Sequence, residues 1–199
     1  MIPRHLKIGV TLMLLVALGM GIYVWHMRGR AQLTEPSAQG APVAPPVSGP
    51  TEQVTLYVAD DGPGAIRTQP ANLPLPSGRQ EHAEELLRAL IAIYLNKDSP
   101  HPLPPGSEIR SVYLADPGLA VIDTNSVFAE QHRSGILVEE LTIASLVETL
   151  SANVQGISRV KILVDGRTRE TLAGHADLSG FYDATAVHLL VAQLYSRKE

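Results

Sequence analysis

The residues whose types and spacing come nearest to chemistry are Gly174-His175-Ala176-Asp177. A histidine and an aspartate two apart at a strand end could bind a metal ion or polarise a water molecule. A zinc site takes three or four ligands, however, and no second histidine or carboxylate cluster stands close to them in the chain. The pair is therefore read as structural, since a short aspartate and an imidazole can both satisfy backbone groups left over by a tight turn. Ser145 or Ser151 with His175 and Asp165 would supply the residue types of a hydrolytic triad. Both serines fall inside a helical pattern, away from the strand–turn–helix elbow that exposes a nucleophile, and nothing suggests an oxyanion hole.

Two acidic pairs, Glu84-Glu85 and Glu139-Glu140, sit at adjacent positions, so each pair diverges around its helix. They are read as solvated helix starts. Asp60-Asp61-Gly62-Pro63-Gly64 is too short and too poor in ligands for a calcium loop of the EF-hand type. The chain holds no GxGxxG, no phosphate-binding loop and no HExxH. Cysteine is absent, which excludes disulfides, thiolate nucleophiles, Cys-ligated zinc and a lipid carried on cysteine. No catalytic, cofactor-binding or metal-ligating residue is assigned, no cofactor is expected, and the chain is read as non-enzymatic.

The elements that would position these residues follow from periodicity and turn chemistry. Gln53–Val58 alternates as a strand, and residues 66–75 suggest a second, irregular one limited by Pro70 and Pro74. Ala83, Leu86, Leu87, Leu90 and Tyr94 recur at helical spacing over residues 80–95. Strands over 108–114 and 118–124 flank a turn at residues 115–118. A second helix over 137–153 carries Ile143, Leu146, Val147, Leu150 and Val154 on its apolar face, with Gly156 as a cap beyond its end. Arg159–Val164 is a strand, and Asp165-Gly166 is the strongest hairpin signal in the chain, with 168–172 as the returning strand. This order predicts an α+β fold, a two-layer sandwich with two helices on one face of a sheet. Residues 184–195 are apolar enough for a short helix, either docked on the domain or used as a contact surface.

Ahead of this domain, Ile8–Trp25 is an uncharged run of 18 residues, about 27 Å as a helix and close to the thickness of a bilayer's hydrocarbon core. It leads into His26-Met27-Arg28-Gly29-Arg30, a poor signal-peptidase site, so an uncleaved signal anchor is expected. Residues 31–50 hold five prolines and read as an extended stalk. The expected organisation is a tail and transmembrane anchor at 1–30, a Pro-rich linker at 31–50, a domain at 51–183 and a C-terminal tail at 184–199. Sixteen basic residues face twenty acidic ones, and Arg4, Lys7, Arg28 and Arg30 flank the apolar run. Twelve basic against twenty acidic residues leave 31–199 at net −8, which argues against nucleic acid as a partner. The anchor makes the membrane itself a partner. The N-terminal amine tips the flanking charge inward and places the domain outside the cytoplasm.

Val112–Asp123, Glu140–Leu150, Gly156–Gly166 and Glu170–Leu178, with the opening Val54-Thr55-Leu56-Tyr57-Val58, form a recognisable pattern. Over residues 52–182 this pattern resembles the GerM domain, a family associated with bacterial sporulation and spore germination. The resemblance implies an envelope protein of the bacterial inner membrane, with a mixed sheet similar to the ring-building motifs of secretion and sporulation assemblies. It further implies a scaffolding or cell-wall-associated role, with an envelope protein or peptidoglycan as partner and room for homo-oligomers, and it transfers no catalytic residues. The alternative carried forward is a periplasmic enzyme acting on peptidoglycan with a site not visible in the sequence. For the anchor, the expected outcome is that chain recovered from membranes has the intact mass of all 199 residues; a species starting after residue 26 would refute an uncleaved anchor.

Overall fold

The computed structural model describes residues 50–115 and 117–196. The expected anchor at Ile8–Trp25 and the linker up to residue 49 lie outside the described residues. Among the described residues no helix is long and apolar enough to cross a membrane.

The chain opens with a long hairpin, β1 (Thr51–Asp60) and β2 (Ala65–Pro74), antiparallel and in register along all ten residue pairs. Val54, Leu56 and Val58 alternate into the core, as a half-buried strand requires. Against expectation, β2 is regular through both prolines. The reason lies in the phase of the ladder. The N–H groups of Thr55, Tyr57 and Ala59 point away from β2, towards side chains described below, so Thr55 and Pro70 form a non-hydrogen-bonded pair. Pro74, opposite Thr51, has the same phase. Neither proline removes a ladder bond, which is the condition for proline in an edge strand.

Helix α1 (Arg79–Tyr94) buries Ala83, Leu86, Leu87, Leu90, Ile91 and Tyr94, the spacing expected of it. The second sheet holds β3 (Ile109–Ala115), β4 (Leu119–Thr124), β5 (Arg159–Val164) and β6 (Tyr182–Asp183) in that order. β3–β4 and β5–β6 are antiparallel, while β4–β5 is parallel. A parallel pair needs a crossover. It is supplied by a short helix α2 (Ser126–Glu130) and the long helix α3 (Ile136–Asn153). The turn between β3 and β4 requires glycine at 118. Its φ is +70°, and a Cβ there would lie 2.7 Å from the Gly156 carbonyl oxygen.

Two expectations about this architecture are corrected. The α+β class and a mixed sheet hold, but the strands form two sheets, and the hairpin is separate from the four-stranded one. α1 touches both, packing on β3 and on the hairpin, while α3 packs on β1 and on α1. Every residue of α3 from Leu141 to Leu150 is buried, so it is enclosed rather than laid with one face on a two-layer sandwich. The returning strand at 168–172 is also absent. Asp165 and Gly166 do make the tight turn, both at positive φ (49° and 71°), with a single bridge from Val164 to Arg167. The chain then leaves, because β5 is already flanked by β4 and β6.

The last helix, α4 (Ala184–Ser196), packs on α3, β2 and β6 and buries Ala184, Val187 and Val191. α2 was not foreseen. Its signal was Asn125, whose side chain accepts from the Phe128 N–H at 3.1 Å as an N-cap does, but five residues are too few to show periodicity.

The outward edge of β1 is closed by helix side chains instead of a strand. Asn153 Oδ1 accepts from Thr55 N–H at 3.1 Å, Thr149 Oγ1 from Tyr57 N–H at 3.0 Å, and the Tyr94 hydroxyl from Ala59 N–H at 2.8 Å. Asn153 Nδ2 also donates to the Thr55 carbonyl at 2.8 Å. Replacing Asn153 by alanine leaves a donor and an acceptor of Thr55 unmet, and the expected loss is about 1–3 kcal/mol in urea denaturation of the full chain. Asn72→Ala, on the exposed strand, is the control and should stay within about 0.5 kcal/mol of wild type. Equal stability of the two variants would mean that water serves this edge as well as the helix does.

Candidate functional site

The His175–Asp177 segment gathers around a residue that sequence reasoning had assigned to solvent. Glu139, in the first turn of α3, is wholly buried. Its Oε2 accepts from the backbone N–H groups of Ala173 (3.0 Å), His175 (2.9 Å) and Ala176 (2.9 Å). Its Oε1 accepts from Gly135 N–H at 3.1 Å, closing the N-terminus of α3, and meets His175 Nδ1 at 2.8 Å. One carboxylate thus joins a helix start to the loop 173–176. A carboxylate is suited to this because it is all acceptor, with lone pairs for several donors.

Burial alone would raise the Glu139 pKa. The His175 ring and the N–H groups of Ala173, Ala176 and Gly135 outweigh it and hold the carboxyl at about 2, against an ordinary 4.5. Glu84 departs from expectation in a similar way. Its Oε1 accepts from Val112 N–H at 3.2 Å, capping the free edge of β3, and its Oε2 pairs with Arg88 at 2.8 Å.

The other motif residues are dispersed. The Ser145 hydroxyl donates to the Thr142 carbonyl at 2.8 Å within its own helix, Ser151 to Glu148, and Asp165 faces Arg110 at 2.9 Å. With His175 on Glu139, no triad assembles. Asp177 is exposed; its Oδ1 accepts from Ser179 N–H at 2.7 Å, and its carbonyl accepts from the Tyr182 hydroxyl at 2.6 Å. The bonds to Ser179 keep the Asp177 carboxyl below its ordinary range. Among the described residues no group of three or more His, Asp or Glu side chains could hold a metal ion.

His175 and Asp177 do share a concavity. A groove of about 360 Å³ runs between the 175–182 segment and the helices α3 and α4, with Ile143, Ala144, Val187 and Leu190 as apolar wall and Glu140 and Asp177 as acidic rim. Tyr182 lines it with a hydroxyl pushed up to about 12 by burial and by Asp177, Glu140 and Glu139. A larger, more polar cleft of about 530 Å³ lies elsewhere, by Arg79, Gly118 and Gln155.

Three buried polar groups escaped the sequence reading. Lys161 Nζ donates to the carbonyls of Leu178 (2.7 Å), Ser179 (2.6 Å) and Gly180 (3.1 Å), pinning the segment that leads into β6. His101 and His132 both reach the Thr142 hydroxyl, at 2.7 and 2.8 Å. A lone lysine in a strand, or single histidines in loops, carry no local signal. The partners of Lys161 and His101 lie 17 to 41 residues away, and His132 meets Thr142 ten residues on.

Residues 55–170 match the family model described as Germane: Sporulation and spore germination. Several solved structures are similar. A candidate lipoprotein from Clostridium perfringens is 23% identical, with 71% of this chain and 92% of that one covered and a TM-score of 0.47. The tandem GerMN domains of the sporulation protein GerM from Bacillus subtilis are 21% identical at a TM-score of 0.53, over 68% of this chain and 47% of that one. The first GerMN domain of the same protein is 19% identical over 64% of this chain and 93% of that one, with a TM-score of 0.46. The chain thus spans about half of the tandem structure. A search of curated proteins gave no match.

The linkage at Glu139 has a definite sign. A carboxyl with a lower pKa folded than unfolded contributes stability that is present above the unfolded value and lost as pH falls through the folded one. The folded protein should therefore lose stability between pH 4.5 and about 2 on account of Glu139. Glu139→Gln should be less stable at pH 7 by about 2–4 kcal/mol and show a shallower acid limb in denaturant titrations. Identical acid limbs would mean that Glu139 carries none of the acid sensitivity.

Proposed function

Because the chain belongs to the Germane family of sporulation and spore germination, we propose that it is a non-catalytic envelope module that binds a protein or a cell-wall polymer. In this reading Ile8–Trp25 anchors it in a bacterial inner membrane, and residues 31–50 hold the domain off the bilayer on the outer side. The carrying observation is the use made of Glu139. A general acid or base needs a proton or lone pair to exchange with substrate. Glu139, the acid that holds the groove-lining His175 and Ala176, has both oxygens committed to backbone amides and to His175, and its low pKa leaves it ionised and unfit to donate a proton near neutrality.

The groove beside it supports a binding role instead. It is mainly apolar, with Leu190 exposed at its lip and Leu189 and Phe181 exposed on the same C-terminal elements. Apolar surface rimmed by polar residues is characteristic of interaction sites.

A photo-crosslinking residue at Leu190, with Leu95 as control site, tests this in the full membrane-bound chain. The expected result is a discrete adduct with an envelope protein or with cell-wall polymer from position 190 and none from 95. Absence of a specific adduct removes the groove from the reading. Release of soluble peptidoglycan fragments by purified full chain, abolished by Glu140→Ala or His175→Ala, would overturn the non-catalytic reading and establish an enzyme acting on the wall.

A further inference from the structure

The two buried histidines pose a proton-counting problem that has a short solution. His101 Nδ1 lies 2.6 Å from Asp61 Oδ1, and the other Asp61 oxygen is paired with Arg133. Burial would raise the Asp61 pKa, but His101 and Arg133 prevail and keep it ionised, so the proton between Asp61 and His101 belongs to Nδ1. His132 Nδ1 lies 2.8 Å from the Arg133 carbonyl oxygen. A carbonyl has no proton, so this Nδ1 must also be an N–H donor. If both rings were neutral, each Nε2 would present a lone pair to Thr142 Oγ1, at 2.7 and 2.8 Å. One hydroxyl has one hydrogen, so one of those contacts would set lone pair against lone pair.

We propose that His101 and His132 hold one extra proton between them through the Thr142 hydroxyl, forming a proton-dependent clamp that ties three loops to α3. In the closed arrangement His101 is an imidazolium donating from Nε2 to Thr142 Oγ1, and the hydroxyl donates to Nε2 of neutral His132. Every donor then has an acceptor. The three loops are the β1–β2 turn through Asp61, the α1–β3 connection through His101, and the α2–α3 connection through His132 and Arg133.

The groups facing the pair decide the number of protons. A second extra proton would also find a place, because the hydroxyl could turn to the Val138 carbonyl at 3.0 Å. It would set two imidazoliums and Arg133 against Asp61, with ring centroids 6.3 Å apart in a buried site. Taken one ring at a time, burial holds each below the ordinary histidine value, Asp61 acts upward on His101, and the charge on His101 acts downward on His132. Arg133 acts downward on both rings, and Glu139 acts upward on His132. Tyr94, edge-on to His101 at 4.9 Å and held near 12, stays neutral, and Phe128 closes the His132 side. For the pair, the lone-pair clash and Asp61 raise the affinity for the first proton, while burial and the first charge lower it for the second. Raising the pH removes the single proton and loosens the clamp.

Side-chain nitrogen NMR on the solubilised full chain reads this directly. At pH 7.5 an unperturbed histidine is neutral by about ten to one. The expected result is that one ring of the pair carries protons on both nitrogens at that pH. Its loss at higher pH should share a midpoint with shifts of the Asp61 and Arg133 backbone signals. Thr142→Ser should keep the extra proton. His132→Gln should lose it at pH 7.5, since a single neutral His101 can then accept from the hydroxyl. Two singly protonated rings in the folded wild type at pH 7.5 would overturn the proposal, and that measurement needs no variant to fold.

Discussion

Helix α3 is buried at every residue from Leu141 to Leu150 and carries many polar groups there, so most of them must find partners inside the protein. Buried polar groups without hydrogen bonds cost enough that the surrounding chain must arrange itself to meet them. Thr149 and Asn153 meet theirs on the outward edge of β1, which fixes where the hairpin lies along the helix. Thr142 draws in two loops through His101 and His132. Glu139 draws in a third through the amides of Ala173, His175 and Ala176. Glu148 reaches His188 on α4 at 2.7 Å, so the last helix is addressed from the same core element.

This arrangement bears on how the domain can bind. Exposed strand edges recruit other strands, and natural proteins cover or charge them. Here β1 is covered by side chains of α1 and α3, and Glu84 occupies the Val112 N–H on the edge of β3. Strand addition along β1 is closed by groups already in position, and on β3 one outward N–H is already taken. What stays open beside the Glu139-held loop is the groove under α4, whose wall is made of residues from elements that meet only in the folded chain. The loop that forms one bank of the groove is held by the backbone-directed bonds of Glu139 and the three carbonyl contacts of Lys161.

Local signals were legible where the chemistry is local. Alternation marked β1, helical spacing marked α1 and α3, and Asp165-Gly166 marked the end of β5 and a tight turn with both residues at positive φ. Failures came where a second partner chose the outcome. Pro70 and Pro74 suggested an irregular strand, but ladder phase made them harmless. Residues 168–172 looked like a return strand, but both flanks of β5 were taken. Glu139-Glu140 looked like a solvated pair, and of the two only Glu140 is exposed.

By itself, then, the sequence determined the α+β class, most of the element boundaries and the family pattern, because periodicity, turn chemistry and capping act within a few residues of one another. It also determined that no cysteine chemistry is possible, since composition alone decides that. Tertiary structure alone decided that the strands divide into two sheets and that α3 is enclosed. It also decided that Glu139, His101 and Lys161 are buried with partners 17 to 41 residues away, and that His132 meets Thr142 ten residues on. The physical reason is that a buried polar side chain is defined by the groups that meet it, and those contacts come from parts of the chain that only folding brings together.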